Sequence, residues 1–323
     1  MNETFTIEEI KAQYFNADAL KEPDYKIYRL DTEGWRYYYR FENDTPVFYP
    51  SVTTLLRSVM PTPYGLLQWY AQNGMEAATE KRDLAAAYGT FMHAQFERLI
   101  INRRFSFDNV GNELRAYMER ENLPERVFGE WHERIKKDVL SFAQFVKDYN
   151  VRPLAVEIGL VSGQYHFAGC IDLPCIMTDP KKGNDFTAIV DFKSGRKGFN
   201  EDCELQLALY KMMWEENFGT PIERIFNFAP KDWRKGPTYT LKDQTGSKNL
   251  EKIPHLLALA AIEDEKRDNI VTIVHGSIDL DGEDALENNV LTLSLAEVIQ
   301  KGLAKEKQPD EEESAPLFGD SEE

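Results

Sequence analysis

The sequence predicts an α/β fold, a mixed central sheet flanked by helices with a helical N-terminal elaboration, and three observations carry that reading. Apolar residues recur at steps of three and four over residues 65–104 and 134–149, the period of helices. Short β-rich runs crowd residues 154–193. A strong helical pattern over 201–218 then divides them from two further β-rich runs, at 222–229 and 237–241.

Residues 24–50 read as short aromatic strands, with a turn at Asp31–Gly34 and an end near Pro46. Ser51 to Met60 reads as a short helix stopped by Pro61 and Pro63. From Gly65 to Arg104 the stripe is Leu84, Tyr88, Phe91, Gln95 and Leu99, with Gly89 inside it. Arg134 to Tyr149 presents Ile135, Val139, Phe142, Val146 and Tyr149 on one face. LAVEIGLV (154–161) and YHFAGCID (165–172) read as a hairpin about Ser162-Gly163-Gln164. A polar loop at 179–185 leads to a third strand, TAIVDFK (187–193). In the helix at 201–218, Leu205, Leu209, Met212 and Met213 point inward, and Leu250 to Lys266 forms another helix. No internal repeat is present. Residues 1–305 are expected to form one domain, and the stretch 306–323 is too acidic and apolar-poor to pack, so it is expected to be a disordered tail.

The net charge of −17 argues against a protein that coats nucleic acid by bulk electrostatics. Part of that charge is local, because residues 308–323 hold seven acids and no Lys or Arg. An acidic body still binds DNA where basic groups surround a metal-filled cleft. The longest aliphatic run, Leu256 to Ile262, is too short to span a bilayer, and the N-terminus lacks a basic segment followed by an apolar one. Three cysteines, Cys170, Cys175 and Cys203, make neither a disulfide framework nor a four-thiolate site. A reducing, cytoplasmic setting is expected.

The chemistry centres on Asp191-Phe192-Lys193. Residues two apart on a strand share a face, so the Asp191 carboxylate and the Lys193 ammonium point the same way. The triplet alone means little, since acid-x-Lys recurs at Glu9, Asp24 and Asp179. Its company raises it. Asp172 abruptly ends an apolar run, and Glu157 interrupts another. Three carboxylates are thus expected on three neighbouring strands, where burial would cost several kcal/mol each without a partner. Structural ion pairs are one answer. A divalent cation is the other, and oxygen ligands suit Mg²⁺ or Mn²⁺. A lysine beside such an ion orients water or neutralises charge growing on a phosphate.

Glu157, then Gly169-x-x-Asp172, then Asp191-x-Lys193, then a helix with Gln206-x-x-x-Tyr210, resembles the PD-(D/E)xK nuclease superfamily. The set is most similar to its RecB-type and phage-type exonuclease branch, as are Gly89-x-x-x-His93 and the segment Ser51-Val52-Thr53-Thr54-Leu55-Leu56. The likeness spans roughly residues 50–230, with residues 1–50 as N-terminal strands and extension. It implies a restriction-endonuclease-like core. It also implies metal ligation by His93, Asp172 and Asp191, an accessory acid in Glu157, a catalytic lysine in Lys193, and site-supporting, DNA-touching roles for Gln206 and Tyr210. Arg196 and Lys197, and further along Lys231, Arg234 and Lys235 with Trp233 between them, could meet phosphates. The cysteines lie within the core, so no iron–sulfur cluster is implied, and without a phosphate-binding Gly-x-x-x-x-Gly-Lys-[Ser/Thr] loop no nucleotide is either. Unwinding would come from a partner, a helicase, annealing or single-strand-binding protein. The resulting expectation is a Mg- or Mn-dependent deoxyribonuclease acting as an exonuclease in recombination, repair or phage replication, in a bacterial or phage-infected cell. An endonuclease and a catalytically silent DNA-binding or assembly subunit are the alternatives.

Overall fold

A computed structural model of the chain describes residues 20–32, 35–43, 45–195, 199, 201–265, 270–274, 290–294 and 297. The acidic tail, Arg196 and Lys197, and part of the expected turn at Asp31–Gly34 lie outside the described residues.

The aromatic N-terminal run makes a three-stranded antiparallel sheet of β1 (Tyr28–Thr32), β2 (Trp35–Glu42) and β3 (Thr45–Pro50). Several of its cross-strand pairs are aromatic: Tyr28 lies opposite Tyr39 with ring centroids 5.1 Å apart. β3 extends past the expected end at Pro46. It is an edge strand, where a proline costs no ladder hydrogen bond.

α1 (Val52–Val59) starts at Ser51, whose Oγ accepts from the Thr54 N–H at 3.0 Å. The single helix expected over 65–104 is two, α2 (Tyr64–Asn73) and α3 (Met75–Asn102), parted at Gly74. Gly74 has φ +78°, a conformation that a residue with a Cβ rarely adopts. α4 (Val110–Arg120) was not expected from the sequence; it buries Val110, Leu114, Tyr117 and Met118. α5 (Phe128–Asp148) begins six residues before the predicted start at Arg134.

The central sheet contains β4 (Arg152–Pro153), β7 (Leu173–Thr178), β8 (Asp185–Phe192), β9 (Arg224–Pro230) and β10 (Tyr239–Asp243), in the order β10-β9-β8-β7-β4. Between β4 and β7, β5 (Ile158–Ser162) and β6 (Phe167–Ile171) form the expected hairpin. α6 (Glu201–Phe218) carries the chain from β8 to β9, the one parallel pair in the central sheet, and α7 (Ile253–Glu265) follows. β11 (Ile270–Val274) and β12 (Val290–Ser294) pair antiparallel with each other.

Helices cover both faces of this sheet. Phe186, Ala188, Val190 and Phe192 of β8 pack against the buried stripes of α3, α4 and α5. Ile189 faces the opposite way, into a second core made by α1, α6, α7 and the β5–β6 hairpin. The expected mixed sheet flanked by helices is therefore present.

The acids are arranged differently from the expectation. Residues 154–157 are irregular, and Glu157 precedes β5 with φ +46°. Asp172 sits at the corner between β6 and β7. Because the β5–β6 hairpin is a sheet of its own, the three carboxylates are not on three neighbouring strands. Turns bring Glu157 to Asp172 instead, and the Glu157 N–H donates to the Asp172 carbonyl at 2.9 Å.

Candidate active site

The site forms where α3, the β6–β7 corner and the end of β8 meet. Helical spacing puts His93 one turn beyond Gly89. A Cβ on Gly89 would lie 3.4 Å from the Ser194 hydroxyl, so the helix runs close beside the chain leaving β8. His93 Nδ1 lies 3.0 Å from Glu157 Oε1 and 3.6 Å from Asp172 Oδ1, and Nε2 lies 3.2 Å from the Phe192 carbonyl. The carbonyl can only accept, so Nε2 carries a proton, and Nδ1 faces the two acids, donating to Glu157 while the ring is protonated and offering a lone pair to a cation once it is neutral.

Asp172 is buried, and its Oδ2 accepts from the Phe192 N–H at 2.5 Å. Burial raises its pKa, and the Glu157 and Asp191 carboxylates add to the rise, outweighing the pull of His93 and Lys193. Burial alone would lower the His93 imidazole, but Asp172, Glu157 and Asp191 together lift it above its ordinary range. Without a cation Asp172 and His93 answer this crowding of charge by holding protons. The donor atoms of His93, Glu157 and Asp172 lie within 4.8 Å of one another. Two carboxylates and a lone pair turned towards them fit a divalent cation, which would take the place of those protons.

Asp191 acts on the charges of His93 and Asp172 and has close partners of its own. It is 2% exposed, it accepts from Lys193 Nζ at 3.0 Å through Oδ1, and its Oδ2 lies 2.8 Å from the same ammonium as an ion pair. Asn227 Nδ2 donates to the same Oδ2 at 2.9 Å. Asp191 and Lys193 share a face, as the strand period requires. Burial acts to lower the Lys193 pKa, but Asp191, joined by Cys203 and Asp172, outweighs it and the ammonium is held above its usual range.

Lys193 also donates to Gln206 Oε1 at 2.9 Å, and Gln206 Nε2 donates to the Tyr210 hydroxyl at 2.8 Å. These two residues are thus brought to the lysine, with Tyr210 buried in the second core. Trp233 is tied to α5, where its Nε1 donates to Ser141 Oγ at 3.2 Å, while Lys231, Arg234 and Lys235 are exposed beside it.

The sequence reading missed Asn227, Cys170 and Arg134. Cys170 donates to Glu157 Oε2 at 3.4 Å. Burial, joined by Glu157 and Asp172, keeps its thiol protonated. Arg134 Nη2 donates to the Ser194 carbonyl at 2.5 Å, steadying the chain just after Lys193. Asn227 had left a visible signal, a polar residue inside the apolar run IERIFNFA.

Acids and an imidazole gathered for a hard cation, beside a lysine kept cationic, are the layout of a metal-assisted phosphoester hydrolase. A family model described as the PD-(D/E)XK nuclease superfamily matches residues 66–310, well over half of the chain. The protein belongs to that superfamily, whose members are metal-dependent nucleases. None of the curated proteins compared with it matches. Among the described residues, no helix is long and apolar enough to cross a membrane.

Proposed function

We propose that this nuclease is a DNA exonuclease of the RecB-type and phage-type branch, working in recombination, repair or phage replication inside the cytoplasm. The observation that carries the reading is His93: its imidazole, one turn after Gly89 on α3, meets Glu157 and Asp172 at the corner leading into β7. In this reading His93, Glu157 and Asp172 hold a Mg²⁺ or Mn²⁺ ion, with Asp191 at its margin. When bound, the ion supplies Lewis acidity for water and for the phosphate oxygens.

The protein's own groups do the rest. The reaction adds water across a phosphodiester, breaking the bond to the 3′ oxygen and leaving a 5′-phosphate. Because Asp191 keeps Lys193 protonated, the lysine is not the base. Its ammonium orients the water and offsets charge developing on the phosphate. Gln206 and Tyr210 hold that ammonium on line from α6. Lys231, Arg234 and Lys235 offer cations to the DNA backbone, with Arg196 and Lys197 on the segment after β8. Residues 1–305 act as one nuclease unit, and a helicase, annealing or single-strand-binding protein supplies the open end.

The test compares linear with covalently closed circular DNA in Mg²⁺ and in Mn²⁺, with a chelator control. Loss of linear DNA alone is the expected result. Nicking of the circle would make the protein an endonuclease, and metal-independent binding without cleavage would make it a silent DNA-binding subunit.

A further inference from the structure

Asp191, Lys193, Gln206 and Tyr210 are only part of a longer chain of side chains. Beyond Asp191 lies Asn227 on β9, directly across the parallel β8–β9 pairing and fully buried. Beyond Asn227 lies Gln244, which immediately follows β10 and is 2% exposed. Gln244 Nε2 donates to Asn227 Oδ1 at 2.9 Å, and its backbone N–H donates to the Ile225 carbonyl at 2.9 Å.

This contact settles which way the Asn227 amide points. Its oxygen is occupied by Gln244, so its NH₂ must face Asp191. A buried carboxylate given a fixed donor keeps one orientation. Lys193 leans on both oxygens of that carboxylate, so the orientation of Asp191 sets the position of the ammonium. An amide in the reverse orientation would set its oxygen against the carboxylate and push the pair apart.

We propose that Asn227 and Gln244 are positioning residues for the nuclease reaction, holding Asp191 and through it Lys193 from the neighbouring strand β9 and the end of β10. This inference rests on the nuclease reading above. Neither residue belongs to the motif set recognised in the sequence, and Gln244 is hydrogen-bonded to Asn227 rather than to Asp191 or Lys193.

The experiment uses the full chain as wild type, Gln244→Met and Asn227→Leu, changes that keep bulk and remove hydrogen bonding. Three quantities are measured: single-turnover cleavage of linear duplex in Mn²⁺, DNA affinity in Ca²⁺, and acetylation of Lys193 in metal-free protein by mass spectrometry. Cleavage should slow about tenfold in Gln244→Met and up to about a hundredfold in Asn227→Leu, with DNA affinity within about twofold of wild type. Lys193 should acetylate several-fold faster while the other lysines keep their rates. A purely structural role would lower the melting temperature without separating rate from affinity and without singling out Lys193.

Wild-type cleavage and Lys193 labelling in folded Gln244→Met would overturn the proposal. That variant decides the matter even if Asn227→Leu does not fold. A wild type that cleaves no DNA would overturn the nuclease reading and this inference together, whereas an active wild type with undiminished variants overturns this inference alone.

Discussion

Replacing Gly169 with alanine should slow catalysis from a position that touches none of the reacting groups. Gly169 lies on β6, and a Cβ built there would stand 2.8 Å from Tyr210 Cε1, 3.5 Å from Val52 Cγ2 and 3.6 Å from Met213 Cε. Carbon atoms rest at about 3.5–4.0 Å, so the tyrosine ring must withdraw by about 0.7 Å or more. It has little room, being 6% exposed within a packed core. Overpacking of this kind costs about 1–3 kcal/mol, partly offset by the about 0.5–1 kcal/mol that alanine gains over glycine within a strand. A net loss between about 0 and 2.5 kcal/mol follows from those two figures. The displaced ring takes its hydroxyl away from Gln206, which holds Lys193. Misplacement by about 1 Å can cost about a hundredfold in rate, so a single-turnover loss of about tenfold or more is expected in Gly169→Ala. Denaturant melts and single-turnover cleavage test this, with DNA affinity in Ca²⁺ as the control. A variant as stable and as fast as wild type would refute the coupling of β6 to the lysine through Tyr210.

Lys193→Ala and Asp191→Ala should each abolish metal-dependent cleavage while DNA binding in Ca²⁺ largely survives; full activity in either would remove the pair from the mechanism. Stability of the metal-free protein should fall between pH 6.5 and about 9, because the carboxylates around His93 raise it, against its burial, from 6.5 to about 9. That proton's contribution is complete below pH 6.5 and is lost as pH climbs through the folded value. The raised carboxyl of Asp172 acts in the same direction, since the folded state again holds a proton that the unfolded chain has released. Mn²⁺ must displace these protons, so its affinity should rise with pH over the same range, and His93→Ala should weaken it; calorimetry showing neither effect would take His93 out of the metal shell. Phe142→Ala should cost about 3–5 kcal/mol, since the ring is fully buried and stacks on Phe96 at 4.3 Å. A denaturation loss below about 1 kcal/mol would mean that the core closes over the gap.

What could be read from the chain was whatever repeats with a backbone period. Asp191 and Lys193 share a face because strands alternate, and His93 follows Gly89 by one helical turn. Glu157 was visible as a charge in an apolar run, but β-prone neighbours made a strand of a segment that turns with φ +46°. β7 escaped notice because Pro174 stands in its run. Its carbonyl accepts from Leu154 and Ala155 on the side away from β8, so the missing N–H costs the pairing to β8 nothing. Asn227 stood out as a polar residue in an apolar run, but its role and that of Gln244 were out of reach for a different reason. Their meaning lies in a contact between two strands and a loop that no local pattern announces.

The alternation of β8 has a consequence for how this gene product can vary. Val190 and Phe192 enter one core while Ile189 and Asp191 face the other, and Phe192 lies within 6.0 Å of the rings of His93, Phe96, Phe142 and Phe228. Adding or deleting one residue inside this strand would exchange the two sets. An ammonium would then be driven among aromatic rings, at a cost of several kcal/mol, and a phenylalanine would replace it beside the acids. Substitutions can be absorbed one side chain at a time; a change of length cannot. Tolerance for insertions is displaced to the exposed stretch 180–184 ahead of β8, where extra residues alter no phase.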